Sequence, residues 1–104
     1  MQILKFKKVN NYEYELYLDN DEIIRLYEDV IIKEEILLSK KIDNIDLLLE
    51  KNNYYVAYHD SLKYLNRGLK SKLEVYNYLS KKYSSDIIDK IMERLINNRY
   101  IDLL

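Results

Sequence analysis

The chain of 104 residues has no cysteine, no proline, no tryptophan, one glycine and one histidine. Without cysteine there is no disulfide staple and no thiolate metal site, which fits a reducing interior. A single glycine rules out a Gly-rich phosphate-binding loop. With no cysteine there is no Cys–His pair, and with His59 as the one histidine catalysis finds little support. No run approaches the ~18 apolar residues of a membrane helix. The opening MQILKFKKVN has no apolar stretch long enough for a secretory leader. These absences lead to the expectation of a cytoplasmic protein that is not an enzyme, with no cofactor, no metal, no membrane and no small-molecule substrate.

What is present is a patterned chain with 48% hydrophobic residues and a net charge of −1. Ile, Lys, Asn and Tyr make up nearly half of it, a bias that reads as AT-rich coding. Residues 12–18, YEYELYL, alternate strictly, with Tyr12, Tyr14, Leu16 and Leu18 on one face. ILKFKKV before it alternates more loosely around Leu4 and Phe6. EIIRLYE after it alternates through Ile24 and Leu26. Asn10–Asn11 suits a two-residue hairpin, and Asp19–Asn20–Asp21 marks a second turn. Residues 2–27 are therefore expected to form a three-stranded antiparallel meander, and something must cover its apolar face.

The period changes near residue 28. EDVIIKEEILL suits one short helix capped by Asp29, and SKKID breaks it. Helical spacing then predicts helices near 43–66, 71–82 and 85–98. Asn52–Asn53 weakens the first of these without ending it. Gly68 is the natural terminator of that helix. Ser71 and Glu74 form a capping box for the next, which buries Val75, Tyr78 and Leu79. Ser84–Ser85–Asp86 caps the last, whose stripe is Ile88, Ile91, Met92 and Leu95. The fold class is α+β: a β region with a short helix over 1–41, then a compact three-helix bundle over 42–104.

Carboxylate pairs such as Asp43/Asp46 and Glu34/Glu35 read as solvated helix surface, and most tyrosines fall at core positions. Charge is less even. Residues 1–59 hold twelve acids and eight bases, net −4, and residues 84–104 hold four acids and three bases. Residues 60–83 carry Lys63, Arg67, Lys70, Lys72, Lys81 and Lys82 against Asp60 and Glu74, net +4. This cluster around Gly68 is the candidate partner-binding surface.

SLKYLNRGLKSKLEVYNYLSKKY, followed by IIDKIMERLINNRYID, resembles the first three-helix repeat of the RecX family, bacterial regulators of the RecA recombinase. The shared frame is Leu62, Tyr64, Leu65, Ser71, Glu74, Val75 and Leu79, then Ile88, Ile91, Leu95, Tyr100, Ile101 and Asp102. The β region and the Glu28–Asp29–Val30 stretch also fit members from low-GC bacteria. The family usually has arginine at the place of Gly68, a glycine within the Ser39–Lys40–Lys41 link, and a second aspartate where Leu103 stands. It also continues into further three-helix repeats, so the chain is expected to be a piece of a longer multi-repeat protein. The resemblance implies a regulator that binds along the RecA filament and inhibits it in recombination, DNA repair and the SOS response. DNA contact would then be weak and indirect. The alternative is a small helix-turn-helix-like DNA-binding regulator. Its candidate reading helix, SSDIIDKIMERLINN, lacks the basic character a groove-reading helix needs.

Overall fold

A computed structural model describes residues 1–101. Three strands, β1 (Ile3–Lys8), β2 (Glu13–Leu18) and β3 (Ile23–Tyr27), form an antiparallel sheet in sequence order, as the alternation predicts. Five helices follow: α1 (Glu28–Lys33), α2 (Ile36–Ser39), α3 (Ile45–Leu65), α4 (Lys72–Ser80) and α5 (Ser85–Asn97). The chain forms two compact units, Met1–Tyr55 and Val56–Leu104, and passes from one to the other within α3. The pattern placed the change of region earlier, at 41/42, where the helical period begins.

In the first unit the register sets Leu16 opposite Ile24 and Phe6, and Leu18 opposite Ile3. Leu16, Leu18, Ile24 and Leu26 are all buried. Ile3 and Phe6 are an odd number of residues apart, so a regular strand would point them to opposite faces. The register shift between Ile3 and Lys5 removes that conflict. It turns Leu4 out to solvent, against the expectation that Leu4 shares the inner face. Val30, Ile31, Ile36, Ile42 and Leu48 complete this core.

The two turns differ in kind. The first is longer than a two-residue hairpin. The amides of Tyr12 and Glu13 donate to Asn10 Oδ1 at 2.8 and 2.9 Å, so asparagine acts through its side chain rather than by a left-handed backbone. In the second turn Asp21 does take the left-handed conformation, at φ 69°.

EDVIIKEEILL is two helical pieces, not one. Glu35 has φ 54° and breaks the run, so that Val30, Ile31 and Ile36 all reach the core. Asp29 lies in the first turn of α1, where its charge suits the helix dipole; the cap position belongs to Tyr27. Lys40 is also left-handed, at φ 52°, in the Ser39–Lys40–Lys41 link. The link then runs along β1. Ile3 N–H donates to Lys40 O at 2.9 Å, and Ile42 N–H to Met1 O at 2.7 Å. An edge that would otherwise be open is thereby paired.

Asn52 does more than weaken α3. It is buried, accepts the Tyr27 amide at 2.7 Å and donates to Arg25 O at 3.4 Å. One side chain thus satisfies two backbone groups at the end of β3.

In the second unit, α3 ends where Gly68 adopts φ 140°, a backbone that side chains avoid. An arginine there would need a different turn. Ser71 Oγ accepts the Glu74 amide at 3.1 Å and Glu74 accepts the Ser71 amide at 3.2 Å, the reciprocal box expected from the sequence. Ser84 occupies the α5 cap position, but its side chain makes no capping bond. The end of α5 is closed by Arg99 at φ 62°, with Tyr100 N–H bonded to Leu95 O and Arg99 N–H to Ile96 O. Ala57, Tyr58, Ser61, Val75, Leu79, Ile88, Ile91, Met92, Leu95 and Ile101 are buried in this unit. Tyr78, expected inside, is half-buried. Asp102 and Leu103 lie outside the described residues.

Two expectations follow. Ser71→Ala removes one cap and should cost about 1 kcal/mol, whereas Leu79→Ala opens a core cavity and should cost roughly 2–5 kcal/mol; urea unfolding should rank them in that order. Asn52→Leu leaves the Tyr27 amide unpaired, so its hydrogen exchange should speed up while Leu79-region amides stay protected.

Candidate functional site

The six candidate bases all belong to the second unit, and the structure divides them. Lys63 lies on α3, Arg67 in the turn after it, Lys72 at the start of α4 and Lys81 just beyond its end; all four are exposed. Lys70 and Lys82 are engaged with tyrosines. Lys70 Nζ stands 4.8 Å from the centre of the Tyr64 ring, and Lys82 Nζ 4.7 Å from that of Tyr78. The two rings stack on each other, 4.1 Å apart and 8° from parallel. Such cation–ring contacts favour burying the lysine stem along the ring while the ammonium stays wet.

Asp60 is the hub of this arrangement. Its carboxylate accepts the Tyr78 hydroxyl at 2.7 Å and the Tyr83 hydroxyl at 2.9 Å, and Lys82 Nζ at 3.3 Å. Lys82 also donates to the Tyr78 hydroxyl at 3.1 Å. Burial works to raise the Asp60 pKa, but the Tyr78 and Tyr83 hydroxyls and the Lys82 ammonium outweigh it and bring the carboxyl below its usual value. The Lys82 ammonium is held above its usual value, first by Tyr78 and then by Asp60. Sequence reasoning gave Asp60 no role. The available signal was an acid set four residues before Tyr64, in a segment otherwise basic.

A second feature lies between α4 and α5. Leu73 and Tyr76 from α4 and Met92 and Ile96 from α5 line a groove of about 690 Å³, edged by Lys72, Asp89, Glu93 and Asn97. Leu73 is 67% exposed, as its position two residues before the buried Val75 requires, since residues two apart do not share a helix face. Elsewhere, Arg94 lies 3.9 Å from the centre of the Tyr58 ring, and His59 packs edge-on to the same ring. Glu34 pairs with Lys51 at 2.8 Å, which takes it out of any carboxylate pair with Glu35. Among the described residues no group of three or more acids and histidines is placed to hold a metal, and no helix is long and apolar enough to cross a membrane.

A three-stranded meander followed by a capped three-helix domain with exposed bases and an apolar groove defines a small α+β protein. The family model for "RecX, first three-helix domain" matches residues 57–95. The regulatory protein RecX of Clostridium tetani is 22% identical over 102 residues, covering 95% of this chain and 47% of that protein. The one from Enterococcus faecalis is 28% identical over 104 residues, covering 96% and 39%. A crystal structure of regulatory protein RecX superposes with a TM-score of 0.81 at 20% identity, over 97% of this chain and 52% of that one. The RecX likeness carried by the helical frame is therefore found in sequence along nearly the whole chain and in the fold. The chain spans about two fifths to one half of the length of these proteins.

The Asp60 hub has a pH signature. A carboxyl with a lowered folded pKa contributes stability that is fully present above its unfolded pKa and is lost as pH falls through the folded one. Asp60→Asn should therefore flatten the acid limb of a stability–pH profile below about pH 4. The check is a set of urea midpoints for both proteins from neutral pH downward. Equal acid limbs would mean that the carboxylate is not held by its three partners.

Proposed function

We propose that this chain is part of a longer, cytoplasmic, multi-repeat RecX-type regulator, which binds RecA filaments and restrains recombinase activity in DNA repair. The observation that carries this reading is the likeness to regulatory RecX proteins in sequence order and fold, over 95–97% of the chain. The exposed bases Lys63, Arg67, Lys72 and Lys81 supply the electrostatic part of the contact, with Lys70 and Lys82 held back by Tyr64, Tyr78 and Asp60. A single repeat makes only part of an interface that several repeats would share, so its own affinity is low.

The DNA-regulator alternative is disfavoured by α5, which presents Asp86, Asp89 and Glu93 to solvent. Acids at these positions repel phosphate.

Co-sedimentation with RecA–DNA filaments, with bare DNA as control, tests the proposal. The chain should sediment with filaments above the control. Reversing Lys63, Arg67 and Lys81 to glutamate together should weaken that association on the order of tenfold at low salt, with the difference shrinking at high salt. These three residues lie outside the α4–α5 groove. If a longer chain with further repeats also stays at the bare-DNA level, the recombinase reading falls and the likeness of fold remains.

A further inference from the structure

The groove between α4 and α5 has the form of a helix-docking site, and its charges point to one kind of occupant. Its floor is made by Leu73 and Tyr76 on α4 and by Met92 and Ile96 on α5. The spacings of three and four residues place each pair on one helix face. A volume of about 690 Å³ is within the range that accepts a small cluster of large apolar side chains. Methionine suits such a surface because its side chain adapts to the shape it meets.

The α5 rim carries Asp89 and Glu93, both exposed and one helical turn apart. Like charges at this spacing oppose each other in the free chain. No ion pair to either is found among the described residues. A cation lying between them would relieve the repulsion. The opposite rim carries Lys72.

We propose that this groove binds an amphipathic helix of a partner protein, apolar on the buried face and basic along the edge next to α5. The mode is helix-in-groove recognition, in which apolar anchors supply affinity and the flanking charges set orientation. The assignment stands on the groove and its charges, and it does not require the recombinase reading.

The test is an NMR titration of the 104-residue chain with two synthetic amphipathic peptides. Each is about 14 residues, comparable in length with the 13-residue α5. One has a leucine face flanked by lysines, the other the same leucine face flanked by glutamates. The Leu/Lys peptide should shift the signals of Leu73, Tyr76, Met92 and Ile96, and the Leu/Glu peptide should bind at least several-fold more weakly. Asp89→Lys with Glu93→Lys should reverse this preference, and Leu73→Ser should weaken both peptides. These three side chains are exposed, so the variants should keep the circular dichroism of the parent. Shifts confined to the acidic first unit would overturn the proposal. So would equal binding of the two peptides by the unaltered chain, or sedimentation showing that a second copy of the chain already covers the groove.

Discussion

A sheet of three strands, each five or six residues long, has too little area to hold itself together in water. Everything in the first unit answers to that constraint. Leu16, Leu18, Ile24 and Leu26 need a cover, and α1, α2, the link at Ile42 and the Leu48 side of α3 provide it. The cover dictates odd local geometry. Glu35 and Lys40 adopt left-handed backbones because the chain must turn sharply to lay three short apolar pieces on a small face. Residues other than glycine pay for this conformation with about 1–2 kcal/mol each. Burial of Ile36 and Ile42 offsets it.

The same constraint explains which parts of the fold could be read from the chain. Strong periods were legible. The alternation of residues 12–18 gave β2, and the stripe Ile88, Ile91, Met92 and Leu95 gave the inner face of α5. Ser71 with Glu74 was legible because a capping box is local, needing only a spacing of three. Features that depend on distant partners were not. Asn52 reads as a weak point in a helix until β3 is placed beside it. The break at Glu35 has no glycine to announce it, and the β1 bulge blurs the very alternation that would reveal it.

The candidate surface shows the same division. A run of charge locates the bases along the chain, yet says nothing of what each one meets. Asp60, Tyr64, Tyr78 and Tyr83 converge from positions up to 23 residues apart, and they change the standing of Lys70 and Lys82. What looked like six equivalent cations is two tethered ones, Lys70 and Lys82, and four exposed ones. The α4–α5 groove was likewise hidden, because it forms only where the exposed Leu73 and Tyr76 of α4 come beside Met92 and Ile96 of α5, about twenty residues further along the chain.

The stacked tyrosines have an optical consequence. The chain holds twelve tyrosines and no tryptophan, so its ultraviolet emission comes from phenol rings alone. Tyr64 and Tyr78 lie close enough to exchange excitation, and the Tyr78 and Tyr83 hydroxyls rest on a carboxylate that can take up the acidic proton of an excited phenol. The folded second unit thus contains its own quencher, and separation of α4 from Asp60 would brighten the protein without any label being attached.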